Sequence, residues 1–197
     1  MFISFLGCDG SGKSAVIRGL KERLSANGAD VISGHWRPRA FVKESTEEGL
    51  IIADNPHGEA PRGYLSSILK LGWLGLNWWL GWLRIQKKIA KNGYILFDRY
   101  HADLLIDPKR YRYGGPMDLA RIASCLMPQP TIVFYLDAEP DVLLSRKQEV
   151  SKEDLIESRR KYLQLCKTHP RFIVIDANRT IDKVIHDVYQ EVKELYL

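Results

Sequence analysis

Residues Phe2–Leu6 form a short, largely apolar run closed by Gly7. The run is too short for a helix and ends in a turn signal, which predicts a buried strand. The period then changes. Val16, Ile17, Leu20 and Leu24 recur at helical spacing over residues 13–24, and Asn27-Gly28 follows as a stop signal. The chain re-enters the sheet at residues 30–33. Residues 94–97, 131–136 and 172–175 repeat the strand pattern, apolar throughout rather than alternating, as strands covered on both faces are. Strands interleaved with helices in this way predict an α/β domain in three layers, with a five-stranded, mostly parallel sheet between helices. Residues 43–63, with Asn55-Pro56 and Pro61, are loop-rich and are assigned to no element. With no internal repeat and no low-complexity linker, the 197 residues read as one domain.

Composition adds a bias toward anionic ligands. Lys and Arg number 29 against 24 Asp and Glu, and the pI is near 9.1. Nucleoside phosphates are the simplest ligands that fit, and no nucleic-acid partner is expected. Cys8, Cys125 and Cys166 have neither metal-ligand nor disulfide spacing, so they read as packing residues of a reducing, cytoplasmic compartment. The apolar start lacks the basic flank and cleavage pattern of a signal peptide.

Between the first strand and the first helix, Gly7-Cys8-Asp9-Gly10-Ser11-Gly12-Lys13-Ser14 fits G-x-x-x-x-G-K-[ST] in the context that pattern requires. Its glycines let backbone N–H groups turn inward around a β-phosphate. Lys13 reaches the β- and γ-phosphates, and the Ser14 hydroxyl ligates Mg²⁺. The fold class is therefore that of the P-loop nucleoside triphosphate hydrolases and kinases, with ATP and Mg²⁺ as expected cofactors. A second signal follows the strand at 94–97, where Asp98-Arg99-Tyr100 places a carboxylate at the carboxyl edge of the sheet. Asp98 is a candidate for the shell of the metal, and Arg99 for a transferred or acceptor phosphate, which a planar guanidinium matches at two points.

With both motifs in hand, the whole chain resembles the thymidylate kinase family of nucleoside monophosphate kinases. The phosphate loop is similar, including the acid at Asp9, which in the family approaches the acceptor. Asp98-Arg99-Tyr100 resembles the family's aspartate-arginine-aromatic motif, and Arg37-Pro38 its arginine-proline element. Residues 136–146, through Pro140 to Arg146, resemble the fourth strand and the helix leading to a lid at about 146–161. Ile175-Asp176-Ala177 resembles the adenine-side loop. The resemblance implies a phosphotransferase with Arg37, Asp98 and Arg99 on the acceptor, Arg146 and Ala177 on the nucleotide, and a homodimer paired through helices of the N-terminal half.

Two segments depart from the family. Its acceptor-gripping arginine on the long helix falls at Asn77-Trp78, with no arginine before Arg84. The segment after the aspartate-arginine motif is replaced by residues 101–116, with Lys109-Arg110-Tyr111-Arg112-Tyr113-Gly114-Gly115. Arg110 or Arg112 would supply the missing cation from another loop. The charged stretch from Arg146 through Arg159, Arg160 and Lys161 reads either as a solvated helix face or as a lid whose arginines close over phosphates. Residues 71–83 carry four tryptophans and no charge, too few residues to span a bilayer, and are assigned to a core or dimer contact ahead of an acceptor pocket or a membrane surface. The resulting expectation is an ATP-dependent kinase of a nucleoside monophosphate such as dTMP. A kinase of a sugar, nucleoside or other hydroxyl compound and a non-catalytic nucleotide-binding regulator are the alternatives.

Overall fold

A computed structural model describes residues 1–35, 60–90, 93–148 and 150–195. Five strands run parallel in the order β2-β3-β1-β4-β5. They are β1 (Phe2–Leu6), β2 (Val31–His35), β3 (Tyr94–Asp98), β4 (Ile132–Asp137) and β5 (Phe172–Asp176). The helices are α1 (Lys13–Ala26), α2 (Tyr64–Lys88), α3 (Asp103–Ile106), α4 (Met117–Leu126), α5 (Pro140–Arg146), α6 (Lys152–Thr168) and α7 (Ile181–Glu194).

The register shows how the layers form. Ser4 pairs with Phe97 and Leu6 with Tyr135, so Phe2, Phe97 and Tyr135 share one face of the sheet. On that face Trp78 of α2 packs against Phe2 and Phe97, and Tyr162 of α6 stacks on Tyr135. Ile3, Phe5, Leu96 and Phe134 point the other way, toward the layer formed by α1 and α7, which pack on each other. The central strands β1, β3 and β4 are buried almost throughout, as their unbroken apolar runs predict. In β5 the same apolar pattern has a different outcome: it is an edge strand, and Val174 remains 45% exposed.

Because every strand is parallel, β1, β2, β3, β4 and β5 all end on one edge. There Phe5 is level with Asp98, His35 with Asp98, and Asp137 with Asp176. The loops leaving that edge carry the residues singled out by sequence.

Helix α2 is two-faced. One face, with Leu74, Trp78 and Gly81, is buried, and Trp78 packs on the sheet. The opposite face presents Leu65, Leu69, Trp73, Leu76, Leu80 and Leu83 to solvent, with spacings of four and three alternating from Leu69 onward. No described helix is long and apolar enough to cross a membrane. Of the three cysteines, Cys8 is buried, Cys166 is partly buried and Cys125 is exposed on α4.

Candidate active site

The phosphate loop is a backbone structure. Gly7, Gly10 and Gly12 have φ of 150°, 86° and 87°, a region closed to most side chains. At Gly7 a Cβ would also stand 2.9 Å from the Leu136 carbonyl oxygen. These turns deliver the chain into α1, which opens without a side-chain cap. Its first-turn N–H groups, with the positive end of the helix dipole, face the loop as an anion site. Ser11 is buried at the base of the loop. Lys13 is buried as well, its ammonium donating to the carbonyls of Gly7 (3.0 Å) and Cys8 (2.9 Å). Burial lowers the Lys13 pKa, with the nearby Arg99 guanidinium acting in the same direction. A phosphate would reverse both effects.

At the mouth of the loop, Ser14 Oγ donates to Asp98 Oδ2 at 3.1 Å, bringing together the end of β3 and the start of α1. The second carboxylate oxygen of Asp98, Oδ1, is buried without a hydrogen-bond partner. A hydroxyl and a carboxylate with a vacant lone pair form an oxygen donor set that suits a hard divalent cation and its waters.

Arg99 occupies an unusual position. Its φ of 65° is left-handed for a non-glycine residue, a conformation that costs about 1–2 kcal/mol and turns its side chain back across the sheet edge. The buried guanidinium is gripped from two sides, by Asp9 Oδ1 and Asp103 Oδ2, each at 2.6 Å. Asp103, fully buried on α3, also accepts hydrogen bonds from Tyr111 (2.6 Å) and Tyr162. Burial pushes the Asp103 carboxyl up, but Arg99 and the two phenols outweigh it and hold the pKa below the usual carboxylate range. At Asp9 burial is likewise outweighed, here by Arg99, Lys13 and Arg110, and the carboxyl is held far down. Asp9 therefore stays ionised and is a poor proton acceptor.

Arg146 at the end of α5 reaches both nucleotide-side loops, donating to the Ala177 carbonyl at 3.0 Å and, more weakly, to the Gly10 carbonyl at 3.4 Å. The Ala177 N–H donates to Asp137 O, which fixes that loop against β4. The other two arginines of the charged stretch diverge. Arg159 forks onto the Asp137 carboxylate (2.8 and 2.9 Å) and also holds Glu139, tying α6 to the end of β4. Arg160 makes only a local pair with Glu157 on the helix surface.

Gly7, Asp9, Gly10, Ser11, Gly12, Lys13, Ser14, Asp98, Arg99, Arg146 and Ala177 thus line one edge of the sheet. Arg37 lies outside the described residues. Asn77 and Trp78 stand apart: the Asn77 amide bonds back to the Trp73 carbonyl, and Trp78 is 1% exposed among Phe2, Phe97 and His101. Both positions face the core rather than the phosphate loop. Sequence reasoning did not single out Asp103, Tyr111 or Tyr162. Only Asp103 left a local signal, its i,i+4 spacing from Arg99.

Several curated relatives align with the chain. A thymidylate kinase of Buchnera aphidicola is 28% identical over 210 aligned residues, covering 96% of this chain and 93% of the relative. A thymidylate kinase of Shouchella clausii is 25% identical across the whole chain and 96% of its own length. One from Prosthecochloris aestuarii reaches 30% identity over 75% of this chain and 64% of the relative. No family model matches the chain.

Proposed function

We propose, from the premise that this chain is a thymidylate-kinase-like P-loop phosphotransferase, that with Mg²⁺ it transfers the γ-phosphoryl group of ATP to the phosphate of a nucleoside monophosphate such as dTMP. The observation that carries this reading is the pairing of Arg99 with Asp9 at 2.6 Å. It holds a fixed guanidinium against the phosphate loop, where an acceptor anion could approach the donor. The pairing also weighs against a hydroxyl acceptor activated by Asp9, because that carboxylate is held ionised by three cations and has little affinity for a proton. An acceptor phosphate is already an anionic nucleophile and needs no strong base.

Catalysis on this reading is positioning and charge neutralisation. Lys13 exchanges its carbonyl partners for the β- and γ-phosphate oxygens, while the loop N–H groups and α1 hold the β-phosphate. Ser14 and Asp98 would hold Mg²⁺, which would supply charge neutralisation on the donor's phosphates. Arg146, already against Gly10 and Ala177, would turn onto the donor and help neutralise its charge. Arg99 orients the acceptor phosphate in line. Steady-state ADP release across a panel of nucleoside monophosphates, nucleosides and sugars, with the product identified by mass, tests the proposal. Turnover with a monophosphate is expected, and turnover confined to unphosphorylated acceptors would overturn it.

The exposed apolar seam of α2 further supports a homodimer, because five large apolar side chains from Leu69 to Leu83 at alternating four- and three-residue spacing match a helix-pairing face. Sedimentation equilibrium of the wild-type protein beside Leu69→Glu/Leu76→Glu checks it, with a dimer expected for the first and a monomer for the second.

A further inference from the structure

The long helix supplies no cation toward the acceptor between Lys70 and Arg84, yet a second guanidinium does stand beside Arg99. It belongs to Arg110, in the loop between α3 and α4. Arg110 Nη2 donates to Asp9 Oδ2 while Arg99 Nη2 takes Asp9 Oδ1, so one carboxylate is shared by two arginine forks from different parts of the chain. A carboxylate held in this way presents two anionic oxygens to two guanidiniums, which is the arrangement that a terminal phosphate would also satisfy.

The loop that carries Arg110 is pinned on every side. Arg110 N donates to Asp107 Oδ1, Arg112 N to Lys109 O, and Tyr113 N to Pro108 O. Lys70 of α2 donates to Tyr111 O at 2.6 Å, and Gly114 N to Ser67 Oγ at 3.0 Å. The Tyr111 hydroxyl reaches the same Asp103 that holds Arg99. Such anchoring fixes the guanidinium before any ligand arrives, so little conformational entropy is lost on binding. Arg112 has no such aim: its Nε donates to the Ala60 carbonyl, and it faces the start of α2. Arg110 Nε is buried without a hydrogen bond, with the Asp107 carboxylate 3.5 Å away.

We infer that Arg110 is the second arm of the acceptor-phosphate clamp, with the Asp9 carboxylate occupying the place between Arg110 and Arg99 that the acceptor's phosphate takes. The inference rests on the phosphate-acceptor reading above and adds the residue that enforces it. The cation comes from a loop braced against α2 rather than from α2 itself. Asp9, released from the two arginines, becomes a hydrogen-bond acceptor for the rest of the acceptor molecule.

Calorimetric titration of the full chain with dTMP and with thymidine separates the possibilities. For the wild type, dTMP binds more tightly than thymidine. Arg110→Ala weakens dTMP by about 10- to 100-fold, as loss of a charge-assisted two-point contact should. The same variant leaves thymidine and ATP within twofold, and Arg112→Ala leaves all three unchanged. Arg110→Lys, which keeps the charge but not the fork, falls between. Wild-type-like dTMP affinity in Arg110→Ala, or equal weakening of dTMP and thymidine, overturns the clamp and leaves the phosphate-acceptor reading intact. Wild-type protein that binds dTMP no better than thymidine overturns that reading and the clamp with it. Should Arg110→Ala not fold, Arg110→Gln carries the same expectation and the same reversal.

Discussion

The proposed donor and acceptor sides of this site are built from different materials. On the donor side eight consecutive residues fold a backbone cradle, and only Lys13, Ser14 and Asp98 need to place side chains in it. On the acceptor side nearly everything is side chain: Asp9 from the loop, Arg99 from the end of β3, Asp103 from α3, Arg110 and Tyr111 from the next loop, and Tyr162 from α6. A cradle of backbone can be emptied of one side chain without loss of form. A network of buried charges cannot, because each member is the counter-charge of another. The difference separates catalysis from stability, and substitutions on the two sides should show it.

The largest effect is expected at Asp103. Asp103→Asn keeps the shape but leaves the buried Arg99 with only Asp9 opposite it, and breaking a buried pair from one side costs about 3–5 kcal/mol. Urea denaturation measures the loss, and a change under 1 kcal/mol would mean that the network is not structural. Lys13→Ala is the counterpart. It should lower kcat by about 10²- to 10³-fold, while stability holds or rises, since burial disfavours the Lys13 ammonium. A Lys13→Ala protein that unfolds as readily as Asp103→Asn would erase the distinction between the two sides.

A third effect extends the comparison to pH. His101, three residues after Asp98, is buried beside Trp78 with Nδ1 at 2.7 Å from Ser124 Oγ, and burial pushes its pKa down to about 3. An unfolded histidine titrates near 6.5, so between that pH and about 3 the unfolded chain holds a proton that the folded chain lacks. Stability therefore falls with acidification, by up to about 1.4 kcal/mol per pH unit inside that window. Burial lowers His35 in the same direction. The depressed pKa values of Asp9 and Asp103 add stability that is lost only below about pH 4. Thermal melts between pH 6.5 and 4.5 should accordingly fall less steeply for His101→Gln than for wild type, and parallel slopes would exclude His101 as the titrating group.

The same contrast explains what could be read from sequence. The phosphate loop is local: glycine spacing fixes its turns, and the flanking strand and helix announce themselves by a change of hydrophobic period. Asp98-Arg99 was legible because a strand end aims it. Asp103, Tyr111 and Tyr162 were not, since their meeting depends on how α3, a loop and α6 pack, and a tyrosine in a mixed-charge helix looks like any amphipathic contact. The tryptophan segment was legible only in part for a related reason. Four tryptophans on one helix mark an apolar surface, but only the register of α2 against Phe2 and Phe97 decides which of them enters the core. The apolar runs predicted five strands with boundaries close to those observed, yet could not say that β5 lies at an edge, because strand order is a property of the crossovers.

Arg159 and Arg160 bring the comparison down to adjacent residues. A charge run carries no sign of which arginine is structural, whereas geometry separates the two. Arg159 forks onto Asp137, at the level of the sheet edge where the Ala177 loop is also fixed, and Arg160 holds only a helix neighbour. Arg159→Ala should lower stability by about 1 kcal/mol, a fall of roughly 2–4 °C in Tm for a chain of this size. Arg160→Ala should leave Tm unchanged, as exposed pairs commonly do. The sharper readout is ATP affinity: if Arg159 also serves the nucleotide side by holding Asp137 in place, its loss weakens ATP binding along with Tm, and a drop in Tm alone would confine it to bracing α6.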